Sequence, residues 1–263
     1  MRKGMLLEPK EDITYGPVQS RRLGSSLGIN LFPGIRKQCS FDCIYCQYGF
    51  EKPISRQTAL RGLPSIDEVM HAIVSHLKKL NTPPSYLTFS GNGEATLHPH
   101  FTGMVKALNE LKNSHIPEAR TAILSNSSSV DIPEIRGALE LLDVRIMKLD
   151  AGTDDVFRRY NRPSLDVDFL SIVEGLARLD DVTIQTLMTG GPLGNNSIQH
   201  VAAWIDCLDS IRPEMIQLYS LDRTSPSANI TKLSVNELEK IANRVRSRGH
   251  EVGVYSRSER VKE

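Results

Sequence analysis

The chain has 263 residues, 40% of them hydrophobic, and its 32 lysines and arginines nearly cancel 31 aspartates and glutamates, leaving a net charge of +1. That size and apolar share can bury a full core in one α/β barrel-type domain without disulfides, and the charge balance carries no signal about partners. No apolar run reaches the roughly 18 residues of a transmembrane helix, and the opening MRKGMLLEPK lacks the long apolar core of a secretory signal, so a cytoplasmic protein without membrane contact is expected.

The first predicted strand, residues 26 to 32, leads straight into the run CSFDCIYC, which carries Cys39, Cys43 and Cys46. Thiolates spaced C-x3-C-x2-C on one short loop can hold three corners of a four-iron cluster and leave its last iron without a protein ligand. An electron-transfer cluster takes four cysteines, and a structural zinc site closes its tetrahedron with four protein ligands. The remaining cysteine, Cys207, lies in the apolar helical stretch AAWIDCL, where a free thiol behaves as a small hydrophobe. No histidine sits within ten residues of Cys46, which favours iron over zinc.

Further along, Ser65 is an N-cap with Glu68 three residues later, and Val69, Ile73, Leu77 and Leu80 form one apolar helical face over 65–80. Strands are predicted at 86–90, 121–125, 144–149, 182–188 and 215–219, alternating with helices near 101–113, 133–142, 168–179, 198–210 and 234–248. Such alternation argues for parallel βα units rather than a sandwich, and six units emerge. Whether VGVY near the C-terminus adds a strand or stays loose is left open. One parity along the strands gives Thr88 and Ser90, Ser125, Lys148 and Asp150, Thr183 and Gln185, then Gln217 and Tyr219. A sealed barrel is filled mainly by branched apolar residues, so recurring polar positions indicate an open lumen. The expected fold is α/β, a partial (β/α)6 TIM-type barrel with parallel strands. It divides into an N-terminal extension at 1–25, the core at 26–223, and a C-terminal helix and tail at 224–263.

Ligands of parallel βα folds gather at the carboxyl ends of the strands. The cysteine loop falls there, as do Gly91, Asn92, Gly93 and Glu94, whose glycines permit close backbone approach and positive φ. Ser125 and Asn126 offer groups suited to a ribose or carboxylate and equally suit a turn. Asp150 can accept from ribose hydroxyls or pair with Lys148. Gln185, Gln217 and Tyr219 are candidate substrate contacts, with Arg162, which precedes Pro163 in an uncomfortable helix position. Arg158 and Arg159 are expected to pair with Asp154 and Asp155. His98 is expected to stabilise a turn, and no catalytic acid or base is assigned. From residue 240 onward seven basic residues stand against three acidic ones, ending in Arg257, Arg260 and Lys262. No aromatic interleaving marks a nucleic-acid stacking platform.

The cysteine loop, with Tyr45 just before its last cysteine, resembles the signature of the radical S-adenosylmethionine superfamily, and Gly91-Asn92-Gly93-Glu94 resembles that family's Gly-Gly-Glu element with an asparagine inserted. Longer strings at 16–33, 90–99 and 147–152 resemble the branch that includes the radical core of wyosine-forming tRNA-modification enzymes. The resemblance implies a [4Fe–4S] cluster on Cys39, Cys43 and Cys46 whose open iron chelates S-adenosylmethionine. Reductive cleavage would then yield a 5'-deoxyadenosyl radical that abstracts hydrogen from a substrate, the work of an oxidoreductase or transferase. It also implies cofactor contacts at Tyr45 and at Gly91 to Glu94, and an external one-electron reductant, flavodoxin or ferredoxin. The substrate is unknown, with a tRNA base among the possibilities. The chain departs from wyosine-type enzymes in having no cysteine before Cys39 for a second cluster and no room for a flavodoxin-like domain. The competing class is an iron–sulfur electron carrier or cluster-bearing adaptor without turnover.

Overall fold

A computed structural model of the chain describes residues 6–256. Two strands, β1 (Thr14–Ser20) and β2 (Gly24–Ile29), form an antiparallel hairpin. Strands and helices then alternate: α1 (Ile66–Leu77), β3 (Tyr86–Phe89), α2 (Phe101–His115), β4 (Arg120–Ser125), α3 (Pro133–Glu140), β5 (Val144–Lys148), α4 (Asp154–Tyr160) and α5 (Phe169–Leu176). They continue with β6 (Val182–Leu187), β7 (Thr189–Gly190), α6 (Ile198–Ile211), β8 (Met215–Tyr219), β9 (Thr231–Lys232), α7 (Val235–Arg246) and β10 (Val252–Tyr255). The main sheet has the order β1-β2-β3-β4-β5-β6-β8-β10, and every neighbouring pair from β2 onward is parallel. The short strands β7 and β9 pair separately. Because β1 and β10 are the two edges, the sheet is not closed into a barrel among the described residues. None of the described helices is long and apolar enough to cross a membrane.

The expected partial barrel of six βα units is present, with two additions. Residues 14–20, expected in an extension, pair with β2, and VGVY becomes β10 beside β8. Arg257, Arg260 and Lys262 of the basic tail lie outside the described residues. The first core strand stops at Ile29 rather than Phe32 because Asn30 turns the chain: its Oδ1 accepts from the Phe32 and Asn92 amides, and its Nδ2 donates to the Lys10 and Asp12 carbonyls. The α1 capping box of Ser65 and Glu68 forms as expected, and Ser234 with Glu237 repeats it on α7.

In a parallel ladder, residues in register share a face. One face carries Ser26, Thr88, Lys148, Thr183, Gln185, Gln217 and Tyr219, by the registers of β2 with β3, β5 with β6 and β6 with β8. The other carries Leu27, Leu87, Ile123, Met147, Ile184 and Ile216, all fully buried. Phe89 on this side meets Phe101 of α2 edge-on, and each such aliphatic or aromatic side chain contributes about 1.5–3 kcal/mol by leaving water. One expectation is corrected: Ser125 is in register with Met147, not with the polar set, because β4 keeps Ala122 opposite Thr88. The polar face is cross-linked by hydrogen bonds, Ser26 to Thr88 at 2.7 Å, Lys148 to Tyr219 at 2.9 Å and Gln185 to Gln217 at 3.0 Å.

Candidate functional site

The cysteine loop is held from two sides by backbone. On one side Gln38 bridges Gly93: the Gln38 amide donates to the Asn92 carbonyl at 2.7 Å and the Glu94 amide to the Gln38 carbonyl at 2.9 Å. On the other, the Asp42 amide donates to the carbonyls of Asn161 and Arg162, Ile44 donates to Tyr160, and the Ser164 amide donates to the Ser40 carbonyl. Inside the loop the Cys46 amide donates to the Cys43 carbonyl at 3.0 Å. The buried pair Lys37–Asp42 at 3.3 Å fixes its base.

Donors surround the sulfurs. Asn126 Nδ2 lies 3.4 Å from Cys39 Sγ, the Phe41 amide 3.5 Å from the same sulfur, and Asn161 Nδ2 3.5 Å from Cys43 Sγ. Burial, then the charges of Cys43 and Glu94, push the Cys39 thiol far up, and burial with Asp150 and Cys46 pushes Cys43 up to about 12. Burial opposes the charge on Lys37, but Cys46, Cys39 and Asp42 outweigh it and raise its pKa. At Cys39 and Cys43 a thiolate therefore needs a cation. No group of three or more His, Cys, Asp or Glu side chains among the described residues is drawn up tightly enough to hold a metal ion. A four-iron cluster seats each cysteine on a different iron, which spreads the sulfurs farther than one ion does. Three thiols, amide donors to sulfur and no fourth cysteine nearby fit such a cluster. Cys207 is on α6, with its thiol 3.6 Å from the Gly152 carbonyl.

A polar chain runs from this loop across the sheet face. Asp150, fully buried, accepts from the Tyr45 hydroxyl, from Asn161 at 2.9 Å and from the Leu187 amide at 2.8 Å, and pairs with Lys148 at 3.3 Å. Burial lowers the Lys148 pKa, yet Asp150 and Tyr219 reverse this and raise it, so the ammonium stays charged. Lys148 lies 5.1 Å from the ring centres of both Tyr45 and Tyr219. Beside Tyr45 and Cys46 opens a cleft of about 560 Å³, walled by Lys148, Tyr219 and the β1–β2 turn.

Most of the residues expected to touch a cofactor brace the loop in this structure. Asn92 spends its side chain on Lys10, Phe32 and Gly34. Glu94 accepts from Thr96, Ser125 and the Asn126 amide, and Asn126 also reaches Ser40. Asp150 takes the Lys148 alternative. Gly93 has no room for a side chain: a Cβ there would stand 1.6 Å from the Gln38 carbonyl oxygen. Gly91 has φ +134° and faces Asn30. Tyr45 and Tyr219 line the cleft, and Gln185 and Gln217 continue from Tyr219. Arg162 is not among the cleft residues: it pairs with Asp42 at 3.2 Å and lies 4.9 Å from the Phe50 ring centre. Arg158 and Arg159 pair with Asp154 and Asp155 as expected. Sequence reasoning missed Asn161 and Asp42. Their only signal was nearness to the motifs, since a polar residue's partner is set by the tertiary fold.

No family model matches the chain. A UPF0026 protein of Helicobacter pylori is 33% identical over 234 residues, covering 87% of this chain and 72% of that protein. A radical SAM methyltransferase from Sphaerobacter thermophilus superposes with a TM-score of 0.65 at 17% identity, over 88% of this chain and 65% of that one, just under two thirds. TYW1 with a lysine-pyruvate adduct bound has a TM-score of 0.60 at 16% identity, over 86% and 75%. Streptococcus suis SuiB bound to S-adenosylmethionine also reaches 0.60, at 11% identity over 85% and 49%. By identity and shared length this chain belongs to the UPF0026 family, and it has the fold of the radical S-adenosylmethionine enzymes.

Proposed function

We propose that this protein is a radical S-adenosylmethionine enzyme of the cytoplasm, with Cys39, Cys43 and Cys46 as the cluster ligands and residues 26–223 as the catalytic core between the 1–25 extension and the 224–263 tail. The observation that carries the reading is the three-thiol loop, clamped at the carboxyl edge of a parallel sheet between the Gly91–Glu94 turn and residues 160–164. When bound and reduced by an external one-electron donor such as flavodoxin or ferredoxin, a [4Fe–4S] cluster with S-adenosylmethionine supplies a 5'-deoxyadenosyl radical for hydrogen abstraction.

The chain's own groups position and shield. Asn126, Asn161 and the Phe41 amide direct N–H groups at two sulfurs, which stabilises thiolate and tunes a cluster's potential. Tyr45, held by Asp150, fixes the loop's last turn next to the cleft. Gly91, Gly93, Ser125 and Asn126 would hold the S-adenosylmethionine. Gln185, Gln217 and Tyr219 offer polar contacts to substrate deeper in the sheet face. Arg162 serves the loop through Asp42. The buried surroundings keep water from a reactive intermediate.

Anaerobic reconstitution with iron and sulfide, followed by dithionite and S-adenosylmethionine, tests the reading. Expected are about four irons per chain, by the cluster stoichiometry, an electron paramagnetic resonance signal that changes on cofactor addition, and 5'-deoxyadenosine. Bound zinc, or a cluster blind to the cofactor, is the outcome that sinks it; a carrier or adaptor would hold iron and release no 5'-deoxyadenosine.

A further inference from the structure

The cleft beside Cys46 is lined by Arg21, Arg22, Lys148 and Arg223 against one carboxylate, Asp222. Arg21 pairs with Asp222, and Lys148 with Asp150. Among the described residues Arg223 has only the neutral Gln47 Oε1, at 3.3 Å. Arg22 is the second charge left over. Among the described residues no carboxylate stands at ion-pair distance from it, and its Nε is buried with no hydrogen-bond partner. Its guanidinium lies 4.5 Å from the ring centre of Tyr219 and 5.4 Å from that of Tyr255. Burial is the main influence on its pKa, which it lowers.

The placement of Arg22 is built, not incidental. It sits in the turn between β1 and β2, where Ser20 Oγ accepts from the amides of Arg22 and Leu23 at 3.2 Å. β1 is one edge of the sheet and β10, bearing Tyr255, is the other. The turn therefore reaches across the unclosed side, Arg21 to Asp222 and Arg22 to the tyrosines, and sets a guanidinium at the mouth of the cleft. An unpaired, partly desolvated guanidinium with free planar donors is the group that binds phosphate or carboxylate well.

We propose that Arg22, with Arg223, forms an anion subsite that takes the phosphate or carboxylate of a small substrate and turns the rest of that molecule toward Cys46. What happens to the bound substrate rests on the radical reading above; the binding does not. A small molecule is favoured over nucleic acid because basic residues of α4 and of the α7 end are already neutralised: Arg158 and Arg159 by Asp154 and Asp155, Arg246 by Glu239, Arg248 by Asp206 and Asp209. A polyanion gains its affinity from a row of unpaired cations, and these residues do not supply one.

Calorimetric titration of the purified full chain with inorganic pyrophosphate and, separately, malonate at fixed ionic strength tests this. Saturable binding of at least one is expected, pyrophosphate marking a phosphate site and malonate a carboxylate site. The affinity should fall at least tenfold in Arg22→Gln and at least threefold in Arg223→Gln, and hold in Arg36→Gln, which lies outside the cleft. Thermal melting establishes that each variant is folded; should Arg22→Gln not fold, Arg223→Gln decides. No saturable binding of either anion, or wild-type affinity in the deciding variants, overturns the proposal, as does tight binding of bulk tRNA that ignores Arg22→Gln. Wild-type protein that binds pyrophosphate yet forms no 5'-deoxyadenosine leaves the subsite standing and removes the radical reading alone.

Discussion

At Gly93 two loops touch through backbone, with room for a hydrogen and nothing larger: an added Cβ would stand 1.6 Å from Gln38 O and 2.4 Å from its carbonyl carbon. Since Gln38 precedes Cys39, relief requires the cysteine loop to move. Gly93→Ala is therefore expected to cut iron retained after reconstitution to less than half, read by iron and sulfide assay. Gly137→Ala on α3 is the control: nothing lies within 4 Å of its Cβ position, so it should leave iron unchanged and stabilise by about 0.4–1 kcal/mol in urea unfolding. His98, next to the same turn, is buried, with Nδ1 accepting from the His100 amide and Nε2 unpartnered. Burial, helped by His100, lowers its pKa from 6.5 to about 4. The unfolded chain then binds a proton that the folded one refuses. Stability from this residue is complete above pH 6.5 and drains away as pH falls toward 4. His98→Gln should flatten that part of the melting-temperature profile; an unchanged slope would place the acid sensitivity elsewhere.

Among the elements, the cysteine loop has no regular structure of its own and depends on what grips it. Asp42 lies at the centre of that grip: Lys37 at 3.3 Å, Arg162 at 3.2 Å, and the Glu51 amide at 2.8 Å all meet its carboxylate. Removing one partner from a buried pair typically costs about 3–5 kcal/mol because a charge is stranded. Lys37→Met should fall at the low end of that range, since Arg162 still faces Asp42. The double variant with Asp42→Asn should recover part of the loss in urea unfolding, and strict additivity would show the pair uncoupled. This grip also marks the limit of what could be read from sequence. The helices and core strands declare themselves by periods of 3.6 and 2, and the thiol spacing is local, so both were legible. Asn161, Lys37 and Asp42 obey no period, and their partners come from segments brought together only by the fold. β1 and β10 were missed or left open because a short edge strand has little alternation to show. Ser125 was assigned to the wrong face because register belongs to a pair of strands, not to one.

For the whole molecule, the sheet's open side is what lets a cleft reach the cysteine loop, while the Arg21 and Arg22 turn ties the two edges together above it. The radical reading proposed above requires a metal centre whose protein ligands are three and not four. Cys39, Cys43 and Cys46 lie on the loop, whereas Cys207 is on α6 beside Gly152, where a Cβ on the glycine would strike the Trp204 backbone at 2.1 Å. That packing pins α6 against the segment after β5 and holds Cys207 half-buried against the core, its thiol pushed up to about 11 by burial and Asp206. Each of Cys39→Ala, Cys43→Ala and Cys46→Ala should therefore abolish 5'-deoxyadenosine formation by anaerobically reconstituted, dithionite-reduced protein. Cys207→Ala should retain wild-type iron content and product. Loss of both in Cys207→Ala with an unchanged melting temperature would mean that Cys207 is itself a cluster ligand, which overturns the three-thiol assignment. Loss with a lowered melting temperature would instead report the core contact, so the two measurements together decide whether the site is open.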